Sequence, residues 1–299
     1  MKHFILKVIP YLVVFIAINA ICLKTSGFYK QQHKYLEKID SSISSKSEII
    51  FLGDSHVETI KLLDLSDNVG NLAFGADGIY EMYIKVLIMI KFNKSLKHVF
   101  IATEPQTFNN TTSPNSTFLN KYLLKVDDTL NVYNKTKLNL ITEKAPLFND
   151  SYINYVLDGF YSYFKPGKNK TKKNWATLTD LQRTEIATKT GVSDHTSVMT
   201  NTEFSKVYRE IINLCKTNKI NVIGIRFPVN ENYINQCKKA ELEKVDSFIK
   251  ELNLDLNLDY STRIKNPKYF DDEDHLNEKG IDKLSKIIFE DTNIKITNL

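Results

Sequence analysis

The sequence predicts an α/β protein with a doubly wound parallel sheet. Three observations lead there. Short, unbroken apolar runs alternate with segments of helical period, as in parallel sheets covered on both faces. Each run stops at turn residues. Chemistry-bearing residues (Ser55, Gly75, Glu104) come just after the runs, where open α/β sheets bind ligands.

Ahead of the sheet, Phe4 to Leu23 is almost wholly apolar, long enough to cross a hydrocarbon core. It reads as an uncleaved anchor, residues 1–24. A cleaved signal peptide would need a shorter apolar region and a small-x-small site, which Ala17-Ile18-Asn19 and Ala20-Ile21-Cys22 match poorly. A buried helix is the remaining alternative. Lysines flank both ends (Lys2, Lys7, Lys24, Lys30), so charge bias alone does not orient it. A single N-terminal anchor most simply leaves the main domain outside the cytoplasm. Residues 25–47 are polar and read as a linker, and 48–299 as the α/β domain.

Within that domain, Glu48–Leu52 reads as the first buried strand and Asn68–Phe74 as the second, closed by Gly75-Ala76-Asp77-Gly78. Ile79 to Phe92 is helical. His98–Thr103 is a third strand. Phe204–Lys216 puts Phe204, Val207, Ile211, Ile212 and Cys215 on one helical face. Ile220–Ile225 is a fourth strand, Ala240–Leu252 a helix and Leu254–Leu258 a weak fifth strand. Asn277 caps a last helix that carries Ile281, Leu284, Ile287 and Ile288. Residues from about 105 to 200 break the alternation. They read as an insertion over the site, a lid or substrate-binding cap, with the only tryptophan, Trp175, and a basic run from Lys165 to Lys173. That run is a solvated loop or, in the sharper reading, a contact for an anionic polymer or lipid headgroups.

A net charge of +5, with Lys and Glu mixed, gives no nucleic-acid footprint. The 3 cysteines make no disulfide framework and no metal-ligand spacing; a Cys215–Cys237 bridge is open only in an oxidising compartment. The acidic run Asp271-Asp272-Glu273-Asp274 lacks the spacing of a calcium loop, and neither metal nor cofactor is expected.

The chemistry concentrates in Gly53-Asp54-Ser55-His56 and Asp272-Glu273-Asp274-His275. A serine hydroxyl needs a base beside it, and the base needs a carboxylate to orient it. Ser55 is the candidate nucleophile, His275 the base and Asp272 its orienting partner, with Asp271 and Asp274 able to do the same. Asp54 orders the turn. His56 is a poor base, since adjacent side chains after a strand point apart, and reads as a supporting or substrate contact. Asp194-His195 also pairs a carboxylate with a histidine, but without strand context. Arg226 follows the fourth strand and binds a substrate carboxylate or phosphate, or makes a plain surface salt bridge.

These residues resemble the SGNH (GDSL) hydrolase superfamily. Gly53-Asp54-Ser55 is similar to its first block, Asn71-Leu72-Ala73-Phe74-Gly75 to its second and Asp272-x-x-His275 to its last. The resemblance covers residues 48–104 and 204–290. It implies an oxyanion hole from the Ser55 and Gly75 N–H groups. The third block departs: Thr103-Glu104-Pro105-Gln106 has no asparagine in register, leaving Gln106, Asn109 or Asn110 to supply an amide. Gly-Asp-Ser-His, Asp-His-Leu-Asn and the anchor are more similar to membrane-bound members that acetylate alginate or D-alanylate teichoic acids, often beside a multi-spanning membrane acyltransferase. The resemblance implies a serine esterase or O-acyltransferase acting on acyl esters of an envelope polysaccharide. The rival is a noncatalytic binding or assembly protein of such a pathway that keeps the fold.

Overall fold

Ile49–Leu52 forms strand β1, four successive residues buried on both faces. Only a central strand of a two-sided sheet offers that burial. The computed structural model describes residues 2–75, 77–108, 116–133, 145–164, 174–194, 202–237 and 239–298. The principal elements in chain order are α1 (Lys2–Thr25), α2 (Gly27–Ser44), β1, the short α3 (Ser55–Glu58), β2 (Val69–Asn71), α4 (Ile79–Phe92) and β3 (His98–Ala102). There follow α5 (Asp150–Phe164), α6 (Asp180–Asp194), α7 (Thr202–Thr217), β4 (Asn221–Arg226), α8 (Lys239–Glu251), β5 (Leu256–Asp259) and α9 (Glu278–Thr292).

All strand pairs are parallel, in the order β2-β1-β3-β4-β5. This is a doubly wound sheet, as expected. The order reverses between β1 and β3, which opens a crevice at their carboxyl ends. Successive side chains alternate between two cores. Ile50, Leu52, Val99 and Ile101 pack toward α2, α4, α7 and α8. Ile49, Phe51, Phe100 and Ile223 pack toward Ile281, Leu284 and Ile288 of α9. The Phe51 and Phe100 rings stack with centroids 4.5 Å apart. Asn277 caps α9 by accepting from Gly280 N–H at 3.1 Å.

The second strand is shorter than expected. Asn71 Oδ1 accepts from Ala73 N–H at 3.1 Å, bending the chain out of the ladder. Leu72 and Phe74 still donate to Phe51 and Gly53 carbonyls at 3.0 and 3.3 Å, so the loop runs along the end of β1.

The expected linker, 25–47, is corrected: most of it is helix α2, capped by Ser26, whose hydroxyl accepts from Phe28 N–H. The segment is polar on average but amphipathic, and Tyr35 and Ile39 are 1% and 0% exposed. Tyr35 donates to Asp77 at 3.1 Å. Lys38 Nζ donates to the Ala73 carbonyl at 2.5 Å and pairs with Glu58 at 3.2 Å. Thus α2 grips the loop after β2.

The insertion contributes to both cores rather than lying wholly over the site. Leu119, Tyr122 and Leu123 join the first core, and Trp175 is buried in the second with Phe270. The lysines from 165 to 173, Asn109, Asn110 and His195 lie outside the described residues. Cys22, Cys215 and Cys237 are free thiols. By length and composition, Lys7–Thr25 of α1 can cross a membrane: its mean hydropathy is 2.0, and only 6% of it is buried, unlike a core helix.

Replacing Ile39 by Ala should destabilise the protein by about 2–5 kcal/mol, the usual cost of emptying a core site. Denaturant unfolding of the two chains checks this. A linker residue would leave the midpoint unchanged.

Candidate active site

The turn after β1 is tight because β3 lies close beside it. A Cβ on Gly53 would meet Val57 Cγ2 at 2.4 Å and Ala102 Cβ at 3.0 Å, so only glycine fits. Asp54 then caps α3, its Oδ1 accepting from His56 N–H at 3.0 Å. This leaves Ser55 as the first residue of α3, half-buried at the crevice.

His275 arrives from the other end of the chain. It lies in the acidic turn before α9, where Asp272 Oδ1 accepts from its backbone N–H at 2.8 Å. Its Nε2 is 2.9 Å from Ser55 Oγ, and its Nδ1 is 2.9 Å from Asp272 Oδ1. The three residues expected to act together are therefore in hydrogen-bond sequence. Asp274 Oδ1 also stands 2.8 Å from Nδ1, so two carboxylates face one nitrogen. Desolvation pulls the His275 pKa down, but hydrogen bonds to Asp272 and Asp274 and the Asp274 charge outweigh it and push it up to about 10.

Asp274 is shared. Its Oδ2 accepts from His56 Nε2 at 3.1 Å. His56 is 4% exposed, and its Nδ1 stands 2.8 Å from Glu104 Oε2. Burial disfavours charge on His56, yet Glu104 and Asp274 outweigh it and raise its pKa well above the ordinary value. Asp274 is held well below the carboxylate range: desolvation opposes this, and its bonds to both histidines prevail. Burial and the Glu104 charge lift Asp54 to about 6. The two imidazole rings meet edge to face, with centroids 4.9 Å apart.

Several expectations for substrate contacts are corrected. His56 is enclosed by its ion pairs and offers no free nitrogen. Gln106 Nε2 donates to Glu104 Oε2 and lies 3.0 Å from His56 Nδ1, so its amide belongs to this network. The other Glu104 oxygen accepts from Phe227 N–H at 2.9 Å. Arg226 is occupied by Asp246 at 2.7 Å and Asp259 at 3.0 Å, the salt-bridge alternative. It lines, with Phe227 and Tyr233, a cavity of about 210 Å³ at the ends of β4 and β5. Asp54 serves its own turn. Gly75 N–H, expected in an oxyanion hole, donates to Glu58 Oε2 at 2.8 Å. Glu58 lies one turn along α3 from Ser55 and is also paired with Lys38 and Lys61.

Sequence reasoning missed Glu58 altogether and gave Glu104 and Asp274 no firm part. Glu104 did carry a signal, as a carboxylate just after a central strand. His56, Asp274 and His275 bring ligand atoms within 4.8 Å of one another, as do Asp54, His56 and Glu104. Of these donors, His56, Glu104, Asp274 and His275 meet one another in ion pairs, and Asp54 accepts from the His56 N–H.

No protein-family model matches the chain, and no curated protein matches it. Among solved structures it is similar to a GDSL-like lipase from Bacteroides thetaiotaomicron, with a TM-score of 0.42 and 11% identity over 87% of this chain and 96% of that one.

Two measurements check the network. The His275 imidazole should titrate near pH 10 by NMR, and Asp274→Asn should move that titration to lower pH. His56→Ala should cost about 3–5 kcal/mol in unfolding experiments, because it strands two buried carboxylates. A loss within 1 kcal/mol or so would mean that His56 is merely a surface contact.

Proposed function

We propose that this chain is a serine-dependent acyl-ester enzyme. The observation that carries the reading is Ser55 Oγ at 2.9 Å from His275 Nε2, with Asp272 at 2.9 Å on the opposite ring nitrogen. In this reading neutral His275 takes the Ser55 proton as Oγ attacks an acyl carbonyl. The tetrahedral oxyanion faces the Ser55 N–H. Collapse breaks the ester bond, and the imidazolium protonates the departing alcohol. Acyl-Ser55 remains. Water resolves it in an esterase; a sugar or polyol hydroxyl resolves it in an O-acyltransferase.

We further assign α1 as a single-pass anchor, with the main domain outside the cytoplasm. The acceptor or donor is then an acylated envelope polysaccharide or a similar polymer, and a multi-spanning membrane acyltransferase is the natural source of acyl groups. The anchor and the residues shared with membrane-bound polymer-modifying SGNH proteins support this.

A second reading is a noncatalytic binding or assembly protein on the same fold. It is favoured by two features: Glu104 stands where an amide donor would, and Gly75 N–H is taken by Glu58. An oxyanion donor is worth roughly 10²–10³ in rate.

A serine-directed fluorophosphonate should label the wild type and not Ser55→Ala. Labelling should quicken as pH rises from 7 toward 10, because the raised His275 pKa keeps the base protonated below that range. Folded wild type that takes no label at any of these pH values would overturn the enzymatic reading in favour of the second.

A further inference from the structure

Outside the site, one described feature beyond α1 is apolar and exposed. Helix α5, in the insertion, carries Ile153, Val156, Leu157 and Phe160 at the spacing of one helical face. These are 36, 46, 45 and 59% exposed. Asn154 and Asp158 lie off this stripe. Phe148, in the turn that precedes α5, is 61% exposed.

The turn before α5 is fastened to α1. The Phe148 ring packs on Phe15 of α1, with centroids 5.4 Å apart. Leu147 N–H donates to Asn19 Oδ1 at 3.2 Å, and Asn19 Nδ2 donates to the Phe15 carbonyl at 2.8 Å. Asn19, the carboxamide within the apolar helix, is thereby 7% exposed with donor and acceptor both used. A polar group in hydrocarbon requires such satisfaction. Tyr152 of α5 packs on Tyr29 of α2 with centroids 5.3 Å apart, next to the junction of α1 and α2. So α5 is fastened where the chain leaves α1, with Ile153, Val156, Leu157 and Phe160 exposed.

We propose that Leu147, Phe148 and the exposed stripe of α5 form a second membrane contact, inserted in the lipid boundary beside the anchor. The inference rests on the reading of α1 as a membrane span. Lipid is the occupant chosen, for three reasons. Wherever Phe15 lies in hydrocarbon, Phe148 shares that depth. The stripe holds no charged group for a protein partner to read. It also fits an interfacial helix, apolar on one face and polar on the other. In sequence, the chain then enters five lysines between 165 and 173, the charge that anionic headgroups attract. Two contacts instead of one flexible tether fix the height and tilt of the crevice above the membrane. A substrate presented at the membrane surface then meets Ser55 in one orientation.

Tryptophan quenching in vesicles tests this with the full-length chain. Trp175 is 2% exposed and gives the background. Leu157→Trp, Phe160→Trp, Asp158→Trp and Val13→Trp are each reconstituted in phosphatidylcholine–phosphatidylglycerol vesicles with and without brominated acyl chains. The added emission of Leu157→Trp and Phe160→Trp should fall at least twofold with brominated lipid, as should that of the α1 reporter Val13→Trp. Asp158→Trp should change little. Quenching of Val13→Trp alone overturns the second contact and leaves the anchor standing. No quenching at any position overturns the anchor reading and the inference with it. Because the vesicles hold no other protein, a face reserved for a protein partner would give the first of these two failures. None of these variants touches Ser55 or His275, so fluorophosphonate labelling reports separately on the enzymatic reading.

Discussion

One carboxylate joins the two halves of the site. Asp274 stands between His275 and His56, at 2.8 and 3.1 Å, and so ties the turn before α9 to the helix that follows β1. Everything around it depends on that bridge. Asp274 and Glu104 flank buried His56 and favour its charged form. Glu104 is tolerated in the crevice only because His56, Gln106 and the Phe227 N–H meet its oxygens. Buried ions are costly unless paired and hydrogen-bonded, and here each member meets another's need. The result holds the His275 ring toward Ser55.

The same arrangement raises the proton affinity of His275. Two carboxylates on Nδ1 stabilise the imidazolium. A base of high pKa is strong once neutral but scarce at neutral pH. Glu58 adds a second restraint, since it holds Gly75 N–H one turn away from Ser55 and is itself held by Lys38 of α2.

That link makes the N-terminal helices of the chain continuous with the site. Helix α2 begins next to α1 and, through Tyr35 and Lys38, reaches the loop after β2. Lys85, 1% exposed, braces the same loop from α4 by donating to the Leu72 carbonyl at 2.5 Å. Helix α2 and the loop beside the crevice therefore form one packed unit rather than a tether and a domain.

The sequence by itself determined the parallel sheet, its order of strands and helices, and three residues that meet: Ser55, Asp272 and His275. These were legible because their signals are local: an unbroken apolar run, a helical period, a turn that ends a strand, a carboxylate three residues before a histidine. Helix α2 was hidden because its polar residues outnumber the face that Tyr35 and Ile39 bury, and average polarity reads as linker. Tertiary structure alone decided where hydrogen bonds go. Whether Gly75 N–H faces a substrate or Glu58, whether one or two carboxylates meet Nδ1, and whether His56 is a contact or a buried cation all turn on distances of about 3 Å between segments remote in sequence. Local pattern places a residue at the end of a strand; it does not say which of several nearby partners its polar atoms will reach.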